Sequence, residues 1–212
     1  CVWSDAPVPT PSMSDPCPTQ PLPVQAQTLL ERHLGPLPEA LQTCAGQAQA
    51  LHLAPGQVLL GAGQRWERLW LVQQGCLRLY YLDREGRASN KNFFLPGSLL
   101  WPITPALREQ SAAFFVEAVS ASRVWAWPWA DWIHAAEGHP PWLHLQQHTL
   151  AALLQDKMER ERQFLQLTAT ERYQRLCQTH PEWLDVLPLR HLASWLGITD
   201  VALSRIRRRL GY

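Results

Sequence analysis

Between Leu51 and Trp129 apolar residues recur at every second position in short runs, and on both sides of that region they recur at helical spacing. Within it, Leu51 and Leu53 alternate and Pro55-Gly56 signals a turn. Val58–Leu60, Leu69–Val72, Cys76–Leu82, Lys91–Leu95, Ala113–Val119 and Arg123–Trp127 then read as strands. Gly61/Gly63, Gln74-Gly75, Glu85-Gly86 and Pro96-Gly97 separate them. Short strands with glycine turns predict a small antiparallel roll or barrel, with Trp66, Trp70, Trp125, Trp127 and Trp129 supplying much of its core. Upstream, helical periodicity covers about Gln25–His33 and Pro38–Ala50, after a Pro-rich tail over residues 1–24 that is expected to be disordered.

Downstream, Pro140 to about Leu167 forms one long helical pattern. Leu143, Leu150, Leu154, Met158 and Leu165 make a stripe on it, spaced much like heptads. Such a stripe needs a covering surface, and a parallel copy from a second subunit is the simplest; the alternative is the chain's own roll. A further helix starts at Thr168 or Thr170.

Residues Pro188 to Tyr212, PLRHLASWLGITDVALSRIRRRLGY, read as two short helices around a turn. Pro188 suits a first helical turn, and Leu189, Leu192, Ala193 and Leu196 share a face. Gly197 can take the left-handed conformation that ends a helix, and Thr199 can cap the next one. In that next helix Leu203, Ile206 and Leu210 face one way, while Asp200, Val201, Ser204, Arg205 and Arg208 face the other. Ala193 is small where two helices would cross. This is the pattern of a helix-turn-helix whose second helix enters the DNA major groove; a plain helical hairpin with a basic solvent face is the blander reading.

The 212 residues, 46% hydrophobic and 17% charged, suffice for one large or two small domains. No apolar run is long enough to span a membrane, and no basic start precedes an apolar core, so no membrane partner and no secretory signal are expected. Met13 opens MSDPCP and reads as a natural start. Five cysteines without CxxC spacing argue against structural zinc or a disulfide framework and suit a reducing cytoplasm. The net charge of +1 hides a split. From Leu167 onward seven arginines face four acids, +3 in all, which leaves −2 for the rest. His144 and His148, four apart, could share a metal, but no carboxylate or Cys at complementary spacing joins them, so no metal or other cofactor is expected. A metal-dependent roll enzyme would need an HxH strand motif, yet His52 is the only histidine between Leu51 and Trp129. With no phosphate loop, nucleophile elbow or HExxH either, no catalytic residue is assigned.

LxLxPGQVLLGAG, a glycine-turned hairpin, the leucine-striped helix and LASWLGITDVALSRIRRRL together resemble the Crp/Fnr family of bacterial transcription regulators, over about Gln25 to Leu210. The resemblance implies an α+β chain: an antiparallel, jelly-roll-like β-roll of the cyclic-nucleotide-binding kind over residues 25–139, a dimerisation helix over 140–167 and a C-terminal helix-turn-helix domain over 168–212. It implies a cytoplasmic homodimer on a palindromic promoter site in double-stranded DNA, with RNA polymerase as a partner. The family's base-reading positions fall on Asp200, Val201 and Arg205, with Ser204 beside them. Arg205 suits guanine, whose O6 and N7 match its fork. Asp200 either accepts from a cytosine amino group or helps Thr199 stabilise the helix N-terminus, the second being favoured. Val201, where the family often carries glutamate, offers an apolar contact to a thymine methyl. Thr199, Arg207, Arg208 and Arg209 suit phosphates. The chain stops at Tyr212, so a version without the β-hairpin wing is expected.

The effector region departs from the family. Trp101-Pro102 stands where the ribose-binding Gly-Glu pair would fall, and Ala112-Ala113 where the phosphate-binding Arg-Ser pair would fall. Without that arginine a buried phosphate lacks its charge partner, so cyclic AMP is not expected to bind. The clustered N-terminal cysteines of the iron–sulfur branch are also missing. Phe93, Phe94, Trp101 and Phe114 are the candidates for a pocket taking an unknown small effector, with ordinary core packing as the alternative. A ligand-sensing or scaffold protein whose degenerate helix-turn-helix meets protein is the second reading of function.

Overall fold

The computed structural model describes residues 24–211. Apart from Val24, which already opens a helix, the expected Pro-rich tail lies outside the described residues, as do Met13, Cys1, Cys17 and Tyr212.

Helices α1 (Val24–Leu34) and α2 (Glu39–Gly46) lead into the roll. The second ends before Ala50, where the helical pattern was expected to run. Gln49 and Ala50 begin strand β1 (Gln49–Leu53) and pair with Ala126 and Trp125 of β8 (Ser122–Pro128). A neighbouring ladder outweighs local periodicity there. The other strands are β2 (Val58–Leu60), β3 (Arg68–Gln74), β4 (Leu77–Leu82), β5 (Ala88–Phe94), β6 (Leu99–Leu100) and β7 (Phe115–Ala118). They form two four-stranded antiparallel sheets, ordered β1-β8-β3-β6 and β2-β7-β4-β5. The architecture is the expected α+β roll; β6, the short helix α3 (Pro105–Glu109) and α4 (Trp129–Ala135) are additions that the periodicity did not mark.

Between the sheets, Trp66 stacks on Trp70 at 5.2 Å and meets Phe114 edge-on at 5.9 Å, with Leu77, Val116 and Val124 closing around them. Residues on the opposite face of β3 and β8 point away from this interior. Leu69, Leu71, Trp125 and Trp127 pack under α1, α2, α4 and the start of α5 (Pro140–Gln166). There Trp142 meets Trp101, Trp132 and Trp129 at 5.2, 5.8 and 6.1 Å, and the Trp127 indole donates to the Ala45 carbonyl at 3.1 Å. The tryptophans thus serve two cores, one inside the roll and one outside it.

Beyond Trp142, α5 turns its leucine stripe away from the roll. Leu143, Leu150, Leu154, Met158 and Leu165 are all exposed, Leu154 at 59% and Leu165 at 79%. The chain's own roll does not cover the stripe. Helices α6 (Ala169–Thr179), α7 (Pro181–Val186), α8 (Leu189–Leu196) and α9 (Asp200–Leu210) complete the chain. Thr168 and Glu171 start α6 with a reciprocal capping box.

Gly75 fixes how the β3–β4 hairpin crosses the β7–β8 turn. Its φ is +85°, and a Cβ there would stand 2.3 Å from Ser122 Oγ and 2.5 Å from the Ala121 carbonyl oxygen. Gly75→Ala is therefore expected to cost about 3 kcal/mol or more, from backbone strain plus displacement of the facing turn. Urea unfolding of the purified variant measures it, and a loss under about 1 kcal/mol would show that the turn moves aside freely.

Candidate nucleic-acid interface

The α8–α9 turn is built by local rules. Gly197 adopts φ +70°, ψ 34°, and the amide of Ile198 reaches back to the Ala193 carbonyl at 3.0 Å, closing α8. Pro188 proves to be the N-cap, one residue before the helical turn expected for it. Thr199 Oγ1 accepts from the amide of Ala202 at 3.2 Å and caps α9. Leu192, Ala193, Leu196 and Leu203 are fully buried, Ile206 nearly so, and all share one core with Tyr173 and Leu176 of α6 and Trp183 of α7. Ala193 leaves room for α9 to cross.

With that face turned inward, the opposite one is free. Thr199, Asp200, Val201, Ser204, Arg205 and Arg208 are exposed, Val201 at 60%. At 100° per residue, Asp200, Ser204, Arg208, Val201 and Arg205 span an arc of about 140°. Arg207 falls outside this arc; it is half-buried, and its Nε has no hydrogen-bond partner. Arg209 lies on the far side and donates to Thr170 Oγ1 of α6. The expected phosphate contacts therefore divide: Thr199 and Arg208 lie beside the outward face, whereas Arg209 braces α9 against α6.

The sequence pattern did not reveal what anchors this unit. β5 is an edge strand, and α8 lies along its open side. Ser194 Oγ accepts from the Asn90 amide at 3.0 Å and donates to the Ala88 carbonyl at 2.8 Å. From α5, the Arg160 guanidinium donates to the carbonyls of Lys91 at 2.8 Å, Asn90 at 3.1 Å and Trp195 at 2.9 Å. Phe93 of β5 enters the helix-turn-helix core and meets Trp183 edge-on at 5.0 Å. Behind these contacts Arg78 of β4 pairs with Glu117 of β7 at 2.9 Å, both largely buried. Tyr80 donates to the same carboxylate at 2.9 Å; burial first, then this bond, pushes its pKa up to about 12. Arg78 also donates to Asn90 Oδ1 at 3.1 Å and to His191 Nδ1 at 3.3 Å. The amide nitrogen of Asn90 donates to His191 Nδ1 too, at 3.3 Å. Two donors converge on Nδ1, so the ring is neutral and carries its proton at Nε2. Beside this seam an open cleft of about 760 Å³ runs between the β4–β5 hairpin and the start of α9, lined by Arg87, Arg190 and Thr199 among others.

Comparison with known proteins agrees with this layout. Residues 50–139 match the family model of the cyclic nucleotide-binding domain. Among solved structures, FixK2 from Bradyrhizobium japonicum aligns with a TM-score of 0.66 at 20% identity, covering 77% of this chain and 84% of that one. A CooA mutant from Carboxydothermus hydrogenoformans gives 0.67 at 15%, covering 86% and 84%. A Crp/Fnr-family transcriptional regulator from Eubacterium rectale gives 0.63 at 17%, covering 82% and 84%. The chain has the Crp/Fnr fold. No curated protein matches its sequence.

Within this Crp/Fnr roll the four aromatics taken as an effector pocket do not line one cavity. Phe93 and Phe94 are consecutive in a strand and point to opposite faces, Phe93 into the helix-turn-helix core and Phe94 against the roll interior. Phe114 lies in that interior, and Trp101 lies outside it against Trp142. Ordinary core packing accounts for all four. Ala112 is buried in the interior, and its backbone pairs with Gly63 and Gln64.

His191 makes the seam sensitive to acid. Burial foremost, then the guanidinium of Arg78 and that of Arg190, holds its pKa down to about 4 from 6.5. Between those values the unfolded chain binds the proton and the folded chain does not, so stability is complete above pH 6.5 and falls as the pH drops toward 4. The loss is on the order of 3 kcal/mol. Thermal midpoints measured across this range should fall more steeply for the wild type than for His191→Gln; equal slopes would remove His191 from the acid response.

Proposed function

We propose that the chain is a DNA-binding transcription regulator of the Crp/Fnr type that reads a palindromic promoter site as a homodimer. The observation that carries this reading is the outward face of α9. A capped, glycine-turned helix buries Leu203 and Ile206 and presents Val201, Ser204, Arg205 and Arg208 to solvent. Arg205 takes guanine, Val201 a thymine methyl, and Thr199 and Arg208 the flanking phosphates. Asp200, next to the capping Thr199, stabilises the helix N-terminus.

The exposed stripe of α5 supports the dimer, since a second copy is the surface that would bury Leu150, Leu154 and Met158 together. Two copies of α9 would then meet successive major grooves about one helical turn apart. RNA polymerase follows as a partner, and the cytoplasm as the place of action. Cyclic AMP is not the effector: Ala112 offers no charge to a phosphate, and Trp66, Trp70 and Phe114 crowd the interior around it.

Selection from a random DNA pool with the purified protein should return a palindrome, and gel shifts on it should weaken steeply as salt rises. Arg205→Ala should lose about 1–3 kcal/mol of site discrimination, some 5- to 150-fold, with non-specific binding little changed. Equal loss on specific and random DNA would make Arg205 a phosphate contact, and no selected site at all would refute the regulator reading. Calorimetry with cyclic AMP should give no heat; binding at micromolar concentration would overturn the exclusion.

A further inference from the structure

Arg160 bridges the roll and the helix-turn-helix. It is only partly exposed, and burial lowers its pKa. All three of its hydrogen bonds end on main-chain carbonyls rather than on a carboxylate. Two of those carbonyls, of Asn90 and Lys91, belong to the edge strand of the roll. The third, of Trp195, belongs to the last turn of α8, where helix carbonyls have no partner within the helix and the dipole is negative. The guanidinium also lies 4.7 Å from the Trp195 ring centroid and 5.5 Å from that of Phe164. One turn further along the same helix, Phe164 packs on the α8–α9 turn: a Cβ on Gly197 would come within 2.8 Å of its ring. Burial, and then the positive charges of Lys157 and Arg160, lower the pKa of Lys91 on β5.

We propose that Arg160 is the positioning residue of the DNA-reading unit: its planar fork ties the edge of the roll to the end of α8 and so fixes the direction in which α9 faces. This rests on the regulator reading above and deepens it. A planar fork suits the task because one rigid group must reach acceptors on two modules at once. Arg160 also sits on the helix whose exposed stripe is assigned to the partner subunit. Arg160, together with Ser194 and Phe164, thereby holds the angle between the dimer helix and α9, and in a symmetric pair that angle fixes the separation of the two recognition helices.

The test uses the full-length dimer, with Arg160→Ala and Arg160→Lys, on the selected palindrome, on the same half-sites with one to three base pairs inserted or removed between them, and on random DNA. Arg160→Ala should lose at least ten-fold on the palindrome and nearly all of its preference for the native spacing, while random-DNA affinity and dimer formation stay as in the wild type. Arg160→Lys, which keeps the charge but not the fork, should recover only part of the spacing preference. Cleavage by a protease between Gln166 and Ala169 should quicken in Arg160→Ala, a readout independent of DNA. Wild-type affinity and spacing preference in Arg160→Ala would overturn the proposal, as would a proportionate loss on every DNA. Should the wild type itself select no site, the regulator reading falls and takes this inference with it, an outcome distinct from a fault in the variant alone.

Discussion

The open edge of β5 is the constraint on which the arrangement of this protein depends. An edge strand presents unpaired amides and carbonyls, and any that are buried without a partner cost free energy comparable to a lost hydrogen bond. Here the Asn90 amide and the carbonyls of Ala88, Asn90 and Lys91 are all answered by side chains from outside the roll, Ser194 and Arg160. Satisfying that edge is what attaches the helix-turn-helix to the roll. The apolar half of the same seam is Cys76 and Phe93, which enter the core otherwise made by α6 to α9. The roll and the helix-turn-helix therefore share a core as well as a chain.

The seam also holds buried charge. Breaking the Arg78–Glu117 pair would leave one partner uncompensated, and such losses run to about 3–5 kcal/mol. The pair's remaining bonding capacity goes to Tyr80, Asn90 and His191, so the ion pair in the second sheet, the edge strand and the first helix of the turn form one polar network. A change in any member reaches the others. The network thus joins the roll to α8 outside the roll interior, where Trp66, Trp70 and Phe114 are packed together.

What the sequence disclosed and what it hid follow from the range of the interactions involved. The α8–α9 turn was legible because each requirement rests on one residue within a few positions: Gly197 for the left-handed turn, Thr199 for the cap, Ala193 for the crossing. The strands were legible through alternation and glycine turns. The end of α2 was not, because Gln49 and Ala50 answer to β8, more than seventy residues away. The tryptophans gave no sign of which face of the roll they would fill. The four candidate effector aromatics scattered over separate cores because side-chain direction alternates along a strand. The seam was hidden altogether. Arg160 and His191 find their partners tens of residues away, and in the sequence they look like ordinary polar positions on helices.

Residue-resolved hydrogen exchange on the purified protein tests the docking of the helix-turn-helix on the β5 edge most directly, through the single amide of Asn90. If Ser194 covers it as described, that amide exchanges as slowly as its neighbours inside β4 and becomes fast in Ser194→Ala. If it exchanges in the wild type at the rate of a solvent-exposed loop, the edge is open, α8 does not rest there, and the orientation of α9 has to be set by something else.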